Sequence, residues 1–138
     1  MDERETVRIA KASFDRCTAT PDFLAGFYRR FFAVCPDAQP LFAKTDFARQ
    51  IQLLRDAIGL LLIAPFLAGG ADTGPTLLSK MAERHSRRGL NIEPRFYAPF
   101  IESLIASVAE CDPEYSPAVE RAWREAIAPG VAYMQSRY

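Results

Sequence analysis

The sequence predicts an all-α fold. Three observations carry that expectation. Apolar residues recur at three- and four-residue steps along nearly the whole chain. No segment alternates polar and apolar residues as a strand would. Prolines and glycines fall where helices begin and end. A length of 138 residues suits one domain spanning 1–138, large enough to bury a sizeable core.

The elements follow in order. A first helix covers about Asp2 to Arg16, with Val7, Ile9, Ala10 and Phe14 on its apolar side. Thr18, Ala19, Thr20 and Pro21 read as a cap followed by proline in a first helical turn. A second helix runs from about Pro21 to Val34, and Phe23, Leu24, Phe27, Tyr28, Phe31 and Phe32 form its broad apolar face. Pro36 closes it, because proline disfavours helical geometry in the residue before it. Asp37 to Phe42 contains Pro40 and reads as a tight turn. Ala43 to Thr45 then links to Asp46, the N-cap of a helix reaching about Ile63. Phe47, Gln50, Ile51, Leu54, Ile58 and Leu61 lie on its related faces.

Gly69 to Pro75 reads as a loop. The next helix, about Pro75 to Arg87, stacks Leu78, Met81 and His85 along one side, and Gly89 suits a left-handed position that ends it. Glu93–Pro94 opens a long helix to about Glu110, with Tyr97, Phe100, Ile101, Leu104 and Ile105 inward. Asp112–Pro113 breaks it. A last helix runs from about Ser116 with Trp123, Ile127, Val131 and Met134 inward, and Pro129 should kink it or loosen one turn.

Composition narrows the function classes. Seventeen basic residues balance seventeen acidic ones, so no field of one sign exists to attract nucleic acid or an anionic membrane. Arg84, Arg87 and Arg88 form a local basic run, read either as a solvated helix end or as a contact for an acidic ligand group. Cys17, Cys35 and Cys111 show no metal-binding spacing and fit free thiols in a reducing cytoplasm. The charged start, MDERETVRIAK, lacks the apolar centre of a secretion signal. The apolar run from Ile58 to Leu67 is too short to span a bilayer and contains Pro65. A soluble cytoplasmic protein is the expectation.

Each candidate site residue has an ordinary reading. His85 is the single histidine, and a lone histidine is commonly structural or at the surface. Tyr28 suits a core position with its hydroxyl at an edge. Gln50 suits solvent, and Phe42, Leu54 and Met81 suit plain core.

Ordered segments give these residues another meaning. GFYRRFFAVCPDAQPLF holds Tyr28, Pro36 and Phe42; ARQIQLLRDAI holds Gln50 and Leu54; MAERHSRRGLNIEPRFY holds His85 and Tyr97; AWREAIAPGVAYM lies in the last helix. Together they resemble the globin family along the whole chain, especially bacterial single-domain globins and the haem domain of flavohaemoglobins. The resemblance implies a globin fold, a three-over-three helical sandwich around haem b (iron protoporphyrin IX). It implies His85 as the iron ligand, with its second ring nitrogen donating to a backbone carbonyl one turn earlier or to a polar neighbour. Phe42 would pack on the haem face, Leu54 would crowd the ligand, Met81 would line the porphyrin, Arg84 would meet a propionate, and Tyr97 would stand behind His85. Tyr28 and Gln50 would face the gas ligand, with Gln52 replacing Gln50 if the register shifts.

The implied function is reversible binding of dioxygen or another diatomic gas, nitric oxide and carbon monoxide included. A nitric oxide dioxygenase is the first alternative. No reductase segment follows Tyr138 in this sequence, so that activity would use a separate reductase. A gas-sensing partner domain is the second alternative, and a helical bundle without haem the third. One departure bears on the choice. Flavohaemoglobin haem domains pair the residue matching Tyr97 with a late glutamate, and no match is visible near MQSRY. Its absence argues against peroxidase-like chemistry and against fast nitric oxide dioxygenation. In LLLIAPFLAGG, Pro65 and the glycines are expected to form a loop opening a ligand path. The chain is expected to act as a monomer or homodimer.

Overall fold

The computed structural model describes residues 2–67 and 77–138. Helices form the regular structure, and no strand occurs among the described residues. They are α1 (Glu3–Thr18), α2 (Phe23–Val34), a 3-10 helix (Pro36–Phe42), α3 (Phe47–Leu67), α4 (Leu77–His85), a short 3-10 turn (Pro94–Phe96), α5 (Tyr97–Cys111) and α6 (Pro117–Ser136).

Several ends follow from local chemistry. The Asp2 side chain accepts from the Glu5 N–H at 2.8 Å and caps α1. Asp46 accepts from the Ala48 N–H at 3.1 Å and caps α3, as the sequence predicts. Ser116 does the same for α6 through the Val119 N–H, with Pro117 at the first helical position.

Other boundaries differ from the sequence reading. Helix α1 continues to Thr18, and α2 begins at Phe23 with no side-chain cap, so Thr18 ends the first helix and Ala19, Thr20 and Pro21 lie between the two. The segment read as a tight turn is a 3-10 helix, and Pro40 fits inside it. Pro65 lies within α3, not in a loop. The glycines after it, and the expected loop to Pro75, lie outside the described residues. Helix α6 runs through Pro129 without interruption.

Gly89 ends the His85 turn by a different route from the one expected. The left-handed residue there is Asn91, at φ 55°. Gly89 is needed for close approach, because a Cβ on it would fall 2.2 Å from the Arg84 carbonyl oxygen. The backbone of 89–92 closes over the helix end: the Leu90 N–H donates to Arg84 at 2.8 Å and the Ile92 N–H to His85 at 2.9 Å.

Helix α6 packs against α1 and α3, and α2 packs against α5. Trp123 is fully buried and meets Phe14 edge-on at 6.0 Å. Its indole N–H donates to Ser13 Oγ at 2.8 Å, and the Ser13 hydroxyl donates to Asp112 Oδ2 at 2.6 Å. Arg16 adds a two-pronged contact to the same carboxylate, at 2.7 and 2.9 Å. This network ties α1, the end of α5 and α6 together. Where α3 meets α6, a Cβ on Gly130 would lie 2.7 Å from Leu61 Cδ2 and 3.2 Å from Ala64 Cβ. Only glycine lets these two helices approach so closely. The Leu61 carbonyl faces this same spot, and Pro65 offers no N–H to pair with it. No helix among the described residues is long and apolar enough to cross a membrane.

Candidate haem and gas-binding site

A cavity of about 310 Å³ opens between α2, α3, α4, α5 and the end of α6. Every site residue singled out from the sequence lines it. Tyr28 comes from α2, Phe42 from the 3-10 helix, Gln50 and Leu54 from α3, Met81, Arg84 and His85 from α4, and Tyr97 from α5. Gln52, the register alternative, points away and donates to Asp56 at 3.1 Å on the exposed face of α3.

His85, Tyr28 and Gln50 each have a defined hydrogen-bonding role in the cavity. His85 Nδ1 lies 2.8 Å from the Met81 carbonyl oxygen, one turn earlier. A carbonyl can only accept, so Nδ1 carries the proton and Nε2 keeps its lone pair. Burial pushes the His85 pKa below its ordinary value, outweighing the Met81 contact, and the nearby Arg84 charge acts in the same direction as burial. The ring is therefore neutral at neutral pH.

Gln50 Nε2 donates to the Tyr28 hydroxyl oxygen at 3.0 Å. Burial pushes the Tyr28 phenol up to about 12, with Gln50 acting weakly against it, so the hydroxyl keeps its proton. The Tyr28 ring is held by edge contacts to Phe42 and Phe47, each at 5.5 Å, and by a tilted contact to Phe32 at 5.7 Å. Tyr97 is also raised to about 12, by burial alone, and its hydroxyl has no hydrogen-bond partner among the described residues.

The sequence profile of the globin family matches residues 25–134. This chain belongs to the globin family. Among solved structures, this globin is similar to a Pseudomonas aeruginosa PAO1 protein, PA3967, described as structurally highly homologous to a human haemoglobin. The two share 32% identity and a TM-score of 0.86, over 96% of this chain and 98% of that one. Comparison with curated proteins gives no match. The helices of this globin adopt the three-over-three sandwich that its sequence predicts.

The donor set of the cavity suits haem. An iron ligand must offer a lone pair from a neutral ring held in one orientation, and His85 meets both conditions. Apolar side chains dominate the walls, and Arg84 adds a cation for acidic groups at a ligand's edge. Sequence reasoning missed part of the wall: Phe27, Phe31, Phe96 and Phe100 also line the cavity. Their spacing marks them as inward-facing, but periodicity does not separate a wall from a core. It also left Phe47 as an ordinary helix residue, although its ring braces Tyr28.

Proposed function

We propose that this globin holds haem b through His85 and binds dioxygen reversibly. Bound haem supplies an iron atom with one position open to a diatomic gas. The remaining roles belong to the chain. The Met81 carbonyl orients the His85 ring and makes its other nitrogen a better donor. Phe42, Leu54 and Met81 provide apolar contact for a flat macrocycle, and Arg84 is placed to meet a propionate.

One observation carries the choice of ligand: a single hydrogen-bonded polar pair, Tyr28 and Gln50, in an otherwise mostly apolar cavity. Gln50 uses one amide hydrogen on the Tyr28 oxygen. The Tyr28 hydrogen and the second amide hydrogen of Gln50 are left to donate. Donation into the Tyr28 oxygen also polarises its O–H, which strengthens it as a donor. Such donors favour a gas that gains negative charge when bound, dioxygen above carbon monoxide.

Sustained nitric oxide dioxygenation would use the same residues with a separate reductase. Optical spectra of the purified ferrous protein with and without oxygen test the proposal. A Soret band and a reversible oxygen-dependent shift are expected. A colourless protein that takes up no added haem would overturn it.

A further inference from the structure

Charges in this globin balance overall, so a local imbalance carries information. One groove of about 760 Å³ runs between α4, the turn after it and the end of α6. Four cations line it, Lys80, Arg87, Arg88 and Arg137, against one acidic side chain, Glu83. Glu83 approaches Arg88 only at 3.9 Å, with both side chains largely in solvent, so it neutralises little.

Two of the groove's three arginines, Arg87 and Arg137, rest on tyrosine rings and not on side-chain carboxylates. Elsewhere, Arg16, Arg29, Arg95 and Arg124 rest on carboxylates at 2.7–3.2 Å. In the groove, the Arg87 guanidinium lies over the Tyr138 ring at 4.7 Å and donates to the Tyr138 main-chain oxygen at 3.3 Å. Arg137 lies over the Tyr133 ring at 5.3 Å. Aromatic faces position a guanidinium without cancelling its charge. Tyr138 is itself anchored, its hydroxyl donating to Asn91 Oδ1. Arg137 is thus held with no carboxylate against it among the described residues, while Arg87 shares its charge with the Tyr138 main-chain oxygen.

The location adds a second argument. Lys80 and Glu83 face the groove, while Met81 and His85 face the cavity on the other side of the same helix. A helix is about 10 Å across. Anything seated in the groove stands one helix away from the His85 ring.

We infer that this groove docks the acidic face of an electron-donor protein. The inference rests on the haem reading above and names the partner that reading needs to recover from oxidation. One electron leaves the partner's reduced flavin and enters ferric haem iron, and no bond in this chain forms or breaks. Charge complementarity selects the partner, and weak rim contacts suit a transient complex.

The test titrates an acidic flavodoxin carrying FMN into the haem-loaded protein by calorimetry, with stopped-flow reduction alongside. Binding is expected to weaken about tenfold or more between about 20 and 200 mM salt. Lys80→Glu with Arg137→Glu should weaken it at least about tenfold and slow reduction in proportion. Lys11→Glu, an exposed cation on α1, should change neither. The inference fails if flavodoxin does not bind at low salt, if Lys11→Glu acts as strongly as the pair, or if pyrophosphate binds where flavodoxin does not. A failure of haem loading in the wild-type protein would instead defeat the earlier reading, and it is seen before any partner is added.

Discussion

Gln50 reaches across from α3 to hold the Tyr28 hydroxyl on α2, 3.0 Å away and twenty-two residues distant in sequence. The bond joins two helices at the cavity wall, beside the space that the proposed function gives to a small gas. It also sets which hydrogens remain to meet that gas.

Tyr28→Phe should therefore speed oxygen dissociation about tenfold, the effect of one lost hydrogen bond of about 1.4 kcal/mol. Gln50→Leu should give a smaller change, because the Tyr28 hydroxyl survives. Flash photolysis and stopped-flow displacement read both rates. An off-rate unchanged in Tyr28→Phe would remove the phenol from the ligand's surroundings.

His85→Ala should purify with almost no haem. Added imidazole should restore the Soret band by filling the space left by the ring. Haem retained in full without imidazole would mean that another side chain holds the iron.

Asp112 lies fully buried at the junction of α1, α5 and α6. Burial alone would raise its carboxyl, but hydrogen bonds from Arg16, Ser13 and the Glu114 N–H outweigh that and hold it below the ordinary 3.8. Asp112→Asn should cost about 2 kcal/mol, less than a wholly buried pair because Arg16 is partly exposed. The carboxylate's contribution is complete above the unfolded pKa and is lost as pH falls through the lower folded one. Urea titrations of wild type and variant should therefore differ by a constant amount near neutrality and converge in acid below about pH 4. A gap that persisted at low pH would place the effect in packing, not charge.

Gly130→Ala should destabilise the fold by about 1–3 kcal/mol, because the new methyl presses on Leu61 and Ala64. Leu61 also lines the cavity, so haem should leave the variant faster. Thermal melts followed by circular dichroism, with haem transfer to an acceptor apoprotein, measure the two effects. A variant as stable as wild type would show that α3 and α6 separate at little cost.

Most of the helical architecture was legible in the sequence, because one-sided burial imposes its own period. Trp123, Ile127, Val131 and Met134 fall inward in α6 as their three- and four-residue spacing requires. Asp46 and Ser116 announce helix starts through short-range chemistry. His85, Tyr28 and Gln50 were legible as candidates only through resemblance to an ordered family pattern, since each has an ordinary local reading.

Tertiary structure decided what depends on neighbours distant in the chain. Local rules read Pro65 as the start of a loop, yet α3 continues through it, and packing against α6 offsets the missing hydrogen bond. Gly89 looked like a left-handed stop, but its role is closeness to the Arg84 carbonyl, a distance that sequence does not state. Gln50 was the expected residue and Gln52 its replacement under a shifted register, and the folded helix sends Gln50 to Tyr28 and Gln52 to Asp56. The phenylalanines of α2 and α5 could be core or cavity wall until the helices were placed. Periodicity records which side of a helix avoids water, and only the packed arrangement determines whether that side meets another helix or an opening.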